Sequence, residues 1–202
     1  LDLYAKDYDR DYPVVCFDEK SKQLMADARK PIPARQGQVV RYDYEYKRHG
    51  TCNIFVAVEP KGGRHVIGVT KRRQKADFAK FMQQLVNKVY PGVHRIRMVL
   101  DNLNTHFEGS LFETFDRDEA ERILDKIEFH YTPKHASWLN MAEIEINMMD
   151  RECLSGRRIP TEIQLSEELK EWGKGRNKTK TRISWNFTRK DADKKLGKYY
   201  IV

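Results

Sequence analysis

Residues 95–102 have the sequence RIRMVLDN, in which apolar side chains alternate with others until Asp101 ends the run. Such alternation is typical of a β-strand with one face in the core. A β-branched run, PVVCFD at 13–18, ends in Asp18 in the same way. If the two strands are parallel neighbours, both aspartates emerge at the carboxyl edge of a sheet, where ligand sites commonly form.

The rest of the chain supplies the other elements of an α/β fold. A Gly-Gly turn between the β-rich runs 51–60 and 64–70 predicts an antiparallel hairpin, and KIEFHYTP at 126–133 predicts a further strand. Apolar residues at helical spacing predict helices at 74–90, 109–126, 137–153 and 161–172. Strand-helix-strand units require parallel neighbours, so we expect an RNase H-like mixed five-stranded sheet flanked by helices.

The composition is that of a globular domain. No apolar run approaches the ~20 residues that span a bilayer, so no membrane partner is expected. The start of the chain, LDLYAKDYDRDYP, lacks the basic and apolar segments of a secretory signal. Three widely spaced cysteines fit neither a disulfide framework nor a CxxC zinc site. These features predict a cytoplasmic protein.

The net charge of +8 is concentrated at one end of the chain. Residues 174–202 contain ten Lys and Arg against two Asp, whereas residues 1–173 are balanced. We therefore predict a catalytic domain at 1–173 and a basic segment at 174–202. Such a segment attracts polyanions, which makes DNA the leading partner, although a solvated tail is the alternative. The candidate DNA contacts are Lys178, Lys180 and Arg182, together with a cluster after the hairpin, Lys71, Arg72, Arg73 and Lys75.

Two neighbouring carboxylates predict a metal site. Asp18 and Asp101 would repel each other unless a cation neutralised them, and oxygen ligands favour Mg²⁺ or Mn²⁺. The helix after the last strand offers Glu143 or Glu145 as a third acid. These lie roughly 200° apart on a helix of ~3.6 residues per turn, so only one faces the site, and periodicity alone does not choose between them. Three acids suit two metal ions and the hydrolysis and transfer of phosphodiesters.

Polar residues follow Asp101 at the same predicted edge. Asn102, Asn104 and His106 are candidate auxiliary residues. His106 has the chemistry to orient a water molecule or a phosphate, and a loop histidine with satisfied hydrogen bonds is the alternative.

Four segments together resemble a known family. They are CFDEK at 16–20, YEYKRHGT at 44–51, VLDNLNTH at 99–106 and HYTPKHASWLNMAEIEI at 130–146. This ordered set resembles the DDE transposases of bacterial insertion sequences of the IS630 group, relatives of the Tc1/mariner elements. The resemblance extends from about Tyr12 to Arg158.

The resemblance implies an RNase H-like fold with Asp18, Asp101 and a glutamate after the LN of SWLNMAE as the catalytic acids. Glu143 matches that position. The interval from Asp101 is longer than in eukaryotic relatives, and we expect the surplus as a surface insertion within 108–126. The resemblance also implies a homodimer and a bacterial, nucleoid-associated location. Relatives carry an N-terminal helix-turn-helix region that recognises the transposon ends. The residues before Asp18 are too few to supply such a region, so we expect backbone contacts with DNA here rather than sequence-specific recognition of transposon ends.

Three functions are consistent with these features. The leading one is a transposase core that cleaves DNA at transposon ends and joins the 3′ hydroxyl to target DNA. The alternatives are an RNase H-like nuclease that acts on a hybrid or a branched junction, and a non-catalytic DNA-binding or oligomerisation module. Only the first two need the acidic residues.

Overall fold

The predicted strands form one mixed sheet. The computed structural model describes residues 1–134 and 136–200, so that His135 and positions 201–202, the end of the predicted basic segment, lie outside the described residues. The strands are β1 (Val14–Asp27), β2 (Tyr46–Glu59), β3 (Arg64–Thr70), β4 (Ile96–Leu100) and β5 (Ile127–Tyr131). Their order is β3-β2-β1-β4-β5. The pairs β1–β2 and β2–β3 are antiparallel and the pairs β1–β4 and β4–β5 are parallel, which confirms the mixed five-stranded sheet.

Helices cover both faces of the sheet. They are α1 (Asp2–Ala5), α2 (Lys75–Gln84), α3 (Gly109–Phe112), α4 (Arg117–Leu124), α5 (Ala142–Met149), α6 (Glu162–Thr179) and α7 (Arg189–Tyr200). One core joins α2, α3 and α4 to the face that carries Phe17 and Phe55. A second core joins α5 and α6 to the opposite face, through Ile54 and Val56. Alternate residues of β2 thus face different helices, as the period of a strand requires.

The stretch 108–126 belongs to the first core. Leu111, Ala120 and Ile123 are completely buried there. The surface insertion expected within this stretch stays a prediction, and the apolar residues of α3 and α4 in the same stretch close one side of the sheet.

β1 is much longer than the predicted strand at 13–18. It continues to Asp27 and pairs with β2 along this length, with an irregularity in register between Gln23 and Met25. The sequence predicted an earlier end because charged residues follow Asp18. An antiparallel pair tolerates such residues, since its outer part is only partly covered by helices.

The parallel pairing aligns the two aspartates. Val14 lies opposite Arg97 and Cys16 opposite Val99. The same offset, carried two residues further, places Asp18 opposite Asp101. The predicted juxtaposition is therefore found, although Asp18 lies within β1 rather than at its end.

The chain beyond position 173 continues the fold. α6 passes through the predicted boundary between 173 and 174 and ends at Thr179, later than expected. Beyond it, the backbone N–H of Ile183 donates to the carbonyl of Pro60 at 2.9 Å. The start of the basic segment is thus fixed to the β2–β3 turn. No helix in the described ranges is both long and apolar enough to cross a membrane.

Candidate active site

Several carboxylates meet at the edge of β1 and β4. Asp18 is partly buried and accepts a hydrogen bond from the backbone N–H of Glu19 at 2.8 Å. Burial raises the pKa of Asp18 to about 7, and the negative charges of Glu19, Asp101 and Glu143 add to this effect. The carboxylate of Asp18 is therefore held in a place where its charge is unfavourable unless a cation is supplied.

Glu143 and Glu145 have different surroundings on α5. Glu143 is partly buried and acts on Asp18 through its charge. Glu145 is completely buried and accepts two hydrogen bonds from Arg176, at 2.9 and 2.6 Å. Nδ1 of His65 lies 2.8 Å from the same carboxylate. Burial alone would raise the pKa of Glu145, but the hydrogen bonds from His65 and Arg176 outweigh it and hold that pKa below its usual value.

His106 bridges two carboxylates at the site. Its Nδ1 lies 2.7 Å from Oδ1 of Asp101, and its Nε2 lies 2.9 Å from Oε2 of Glu19. Burial alone would lower the pKa of His106, but hydrogen bonds to Asp101 and Glu19 outweigh it and raise the pKa to about 9. The ring packs edge-on against Phe17. The hydrogen bond with His106 also lowers the pKa of Asp101.

Asn140 is a site residue that we did not predict from the sequence. It separates a 3₁₀ turn, Ser137–Leu139, from α5 and adopts an extended backbone, so the single helix predicted at 137–153 is wrong. Its Nδ2 donates to the carbonyl of Phe17 at 2.7 Å and lies 3.5 Å from Oδ2 of Asp18. An Asn just before an apolar helical stripe is a signal for a helix start, and that signal was available. Glu19, the partner of His106, carried no signal beyond its place in CFDEK.

The two asparagines predicted as auxiliary residues after Asp101 have different surroundings. Asn102 donates to the carbonyl of Thr132 at 2.6 Å and so joins the ends of β4 and β5, whereas Asn104 is exposed.

Nη1 of Arg73 lies 3.4 Å from Oε1 of Glu19, which places Arg73 beside the carboxylates. The neighbours of Arg73 in the predicted cluster are the exposed Lys71 and Arg72 and the partly buried Lys75, which pairs with Glu113. Lys180 and Arg182 lie at the other end of β3, near the β2–β3 turn, and Lys178 is an exposed residue in the last turn of α6.

The donor set has the chemistry of a divalent cation site. Asp18 and Glu143 form no ion pair with a cation of the described residues, and carboxylate oxygens are the ligands of hard cations such as Mg²⁺. Across residues 1–134 and 136–200, however, no three His, Cys, Asp or Glu side chains are arranged to hold an ion. One reason is that Oδ1 of Asp101 is already hydrogen-bonded to His106. The residues fit a divalent cation by type and charge, with side-chain adjustment needed for ligation.

The sequence matches one family model over most of its length. Residues 13–166 match the model described as DDE superfamily endonuclease. This range includes Asp18, Asp101 and Glu143. A comparison with curated proteins found no significant match.

Solved structures show the same fold. A crystal structure of the Mos1 mariner paired end complex with Mn superposes with a TM-score of 0.55 at 16% identity, over 84% of this chain and 51% of that one. The Mos1 strand transfer complex superposes with a TM-score of 0.51 at 18% identity, over 85% of this chain and 50% of that one. The chain thus spans about half the length of these relatives. The likeness confirms the RNase H-like fold.

Proposed function

Since the chain belongs to the DDE superfamily endonucleases, we propose that it is the catalytic core of a transposase of the IS630 and Tc1/mariner type. Its reaction is the cleavage of DNA at transposon ends and the transfer of the 3′ hydroxyl to target DNA. The observation that carries the proposal is the parallel register that brings Asp18 beside Asp101, with Glu143 of α5 close enough for its charge to act on Asp18.

Asp18, Asp101 and Glu143 would hold Mg²⁺ or Mn²⁺, and the proposal includes two ions. Bound there, the ions supply an activated water or 3′ hydroxyl and stabilise the leaving oxygen at phosphorus. The Mos1 paired end complex was solved with Mn, which supports the same class of ion here.

The neighbouring residues orient the acids. His106 holds Asp101 from one side, and Glu19 fixes the other ring nitrogen of His106. Asn140 fixes the backbone of Phe17, directly before Asp18. Preorganised side chains reduce the rearrangement that a reaction requires.

DNA is the proposed substrate and partner. Arg73 lies beside the carboxylates, next to the exposed Lys71 and Arg72. These cations suit the phosphates that flank a scissile bond, where contacts position the DNA without selecting sequence. The proposal extends, as the family resemblance implies, to a homodimer and to a cytoplasmic, nucleoid-associated location in a bacterium.

The test is cleavage and joining of pre-cleaved or nicked end DNA in the presence of Mn²⁺. The wild-type chain is expected to convert the DNA, and Asp101→Asn is expected to abolish conversion. Asp125→Asn is the matched control, because this exposed aspartate follows α4, outside the group of acids that act on Asp18. Conversion that survives Asp101→Asn at the wild-type rate contradicts the proposal.

A further inference from the structure

A second basic surface lies at the β2–β3 turn. A cavity of about 840 Å³ opens there, between the turn, the residues after α6 and the end of Leu85–Val89, a π-helical turn that follows α2. We call it the hairpin cavity. The cations that line it are Arg10, Arg64, Lys88, Lys180 and Arg182.

The charges in the hairpin cavity are not balanced. All five basic residues are exposed to solvent. Within the described part of the chain, none of them forms an ion pair with a carboxylate. Glu59 is the acid in the lining; it is 4% exposed and accepts a hydrogen bond from the hydroxyl of Tyr90 at 3.1 Å. Five like charges repel one another, and a polyanion relieves that repulsion.

The backbone beneath these cations is firmly anchored. The side chain of Asn177 accepts from the backbone N–H of His65 and donates to its carbonyl, both at 2.8 Å. Nε2 of His65 lies 2.9 Å from the carbonyl of Thr181. The residues from 177 to 183 therefore lie against the edge of β3 and present Lys180 and Arg182 from a fixed backbone.

Lys180 has a backbone conformation that its residue type disfavours. It follows α6 with φ 47° and ψ 48°, in the left-handed region. Among the described residues it is the only non-glycine with positive φ, and glycine is the usual residue at such a helix end. A Cβ on Gly63 would lie 2.5 Å from the carbonyl oxygen of Lys180, so the turn approaches this residue closely. The backbone of Lys180 is therefore strained relative to glycine at the same place.

The hairpin cavity is separate from the carboxylates. Val56 of β2 lies opposite both Asp18 and Ile67. Arg64 lies three residues from Ile67, which is roughly 10 Å along the strand, and β3 lies two strands from β1, roughly 10 Å across the sheet. The cavity also opens toward the amino-terminal end of β1, whereas Asp101 follows the carboxyl end of β4.

We propose that the hairpin cavity binds the phosphate backbone of a DNA segment other than the one held at Asp18, Asp101 and Glu143. Arg and Lys neutralise phosphates and release their counterions, and an exposed cavity of this size accommodates adjacent phosphates. This site rests on the proposed function for its ligand. It adds Arg10, Arg64 and Lys88 to the contacts that the sequence indicated.

The test uses two variants of the whole chain, Lys180→Gly and Lys180→Gly with Arg182→Gln. DNA affinity is measured by fluorescence anisotropy with a long duplex over a range of salt concentrations. The double variant should bind about tenfold more weakly, with a slope of log affinity against log salt smaller by about two. Lys180→Gly alone should bind more weakly while its melting temperature rises by about 2–4 °C, because glycine relieves the left-handed backbone. A merely structural lysine predicts wild-type DNA binding in this variant.

The matched control is Lys80→Gln, which removes an exposed positive charge from α2. A loss of affinity no greater than in this control overturns the proposal. Inorganic phosphate is titrated separately: a double variant that loses phosphate binding but keeps duplex affinity also overturns it. Mn²⁺-dependent cleavage of a short duplex by wild type and Asp101→Asn, measured in parallel, tests the active site independently of the hairpin cavity.

Discussion

Glu143 and Glu145 are two residues apart on the same helix and differ in almost every respect. Glu145 is completely buried and is bound by Arg176 and His65. Glu143 is only partly buried, and its charge disfavours ionisation of Asp18. Glu145 thus has a counter-charge within the fold, that of Arg176, while Asp18 and Glu143 form no ion pair with a cation of the described residues.

The two glutamates therefore have different roles: Glu145 stabilises the fold, and Glu143 belongs to the candidate active site. Glu145 connects α5 to α6 through Arg176 and to β3 through His65. A carboxylate with such partners stabilises the packing of a helix and offers no free oxygen to a ligand. Asp18 and Glu143 have no such partners, so their mutual repulsion costs stability, and a metal ion can offset that cost.

Glu145→Gln should have the largest effect, and it should be on stability. The substitution leaves Arg176 and His65 beside a neutral amide in a buried place. Breaking a buried ion pair costs about 3–5 kcal/mol, which corresponds to a fall in melting temperature of roughly 6–20 °C for a chain of this size. Thermal unfolding followed by circular dichroism measures it. A fall of less than about 2 °C would show that the buried contacts are not structural.

Glu143→Gln should instead remove activity and leave the fold intact. We expect the rate of DNA cleavage with Mn²⁺ to fall at least about a hundredfold, as when a group that stabilises a transition state is lost. The melting temperature should be unchanged or higher, because one repelling charge disappears. Single-turnover cleavage and thermal unfolding of the same preparation give both quantities. Wild-type cleavage by this variant would exclude Glu143 as a catalytic acid.

Asp18→Asn should stabilise the protein in a pH-dependent way. Burial raises the pKa of Asp18 in the folded chain to about 7 from its ordinary value of 3.8. The folded state therefore binds the proton more tightly, and stability is lost as the pH rises between these two values. The gain from Asp18→Asn should be near zero below pH 4 and reach on the order of 1–3 kcal/mol above pH 7.

Urea unfolding at pH 4, 6 and 8 measures that gain. Mn²⁺ at pH 8 should stabilise the wild type and not Asp18→Asn. A gain that is equal at all three pH values would contradict the raised pKa. Asp125→Asn, which changes an exposed aspartate, is the control.

His106→Asn should have the smallest of these effects. Asn keeps at most one of the two hydrogen bonds, so Asp101 loses part of its orientation. We expect a fall in cleavage rate of about tenfold with weaker Mn²⁺ binding. His130→Asn is a suitable control, because His130 pairs with Glu128. An equal loss of cleavage rate in the two variants would show that His106 has no particular role at the active site.

The sequence predicted the parts of the site that depend on short-range patterns. Asp18 and Asp101 each end or follow an apolar run, and the parallel register of two strands then brings them together. The choice of Glu143 came from the resemblance to a family. Helical spacing did not make it, because the deciding partners of Glu145 are distant along the chain, at positions 65 and 176.

Long-range contacts account for what the sequence did not show. Asn140 breaks the predicted helix because its side chain reaches Phe17, more than a hundred residues earlier. β1 continues past Asp18 because β2 pairs with it, which its own charged residues do not indicate. The basic segment after 173 appeared to be a separate unit by charge, yet Asn177 and Ile183 are bound to the β2–β3 hairpin.

The most direct test of the account is calorimetric titration of Mn²⁺ into three forms of the protein: wild type, Glu143→Gln and Glu145→Gln. The titration is run at pH 8 and at a temperature where all three are folded. Wild type and Glu145→Gln should bind the ion with similar affinity, and Glu143→Gln should lose most of the binding. Binding that is kept in Glu143→Gln and lost in Glu145→Gln would contradict the assignment of the two glutamates.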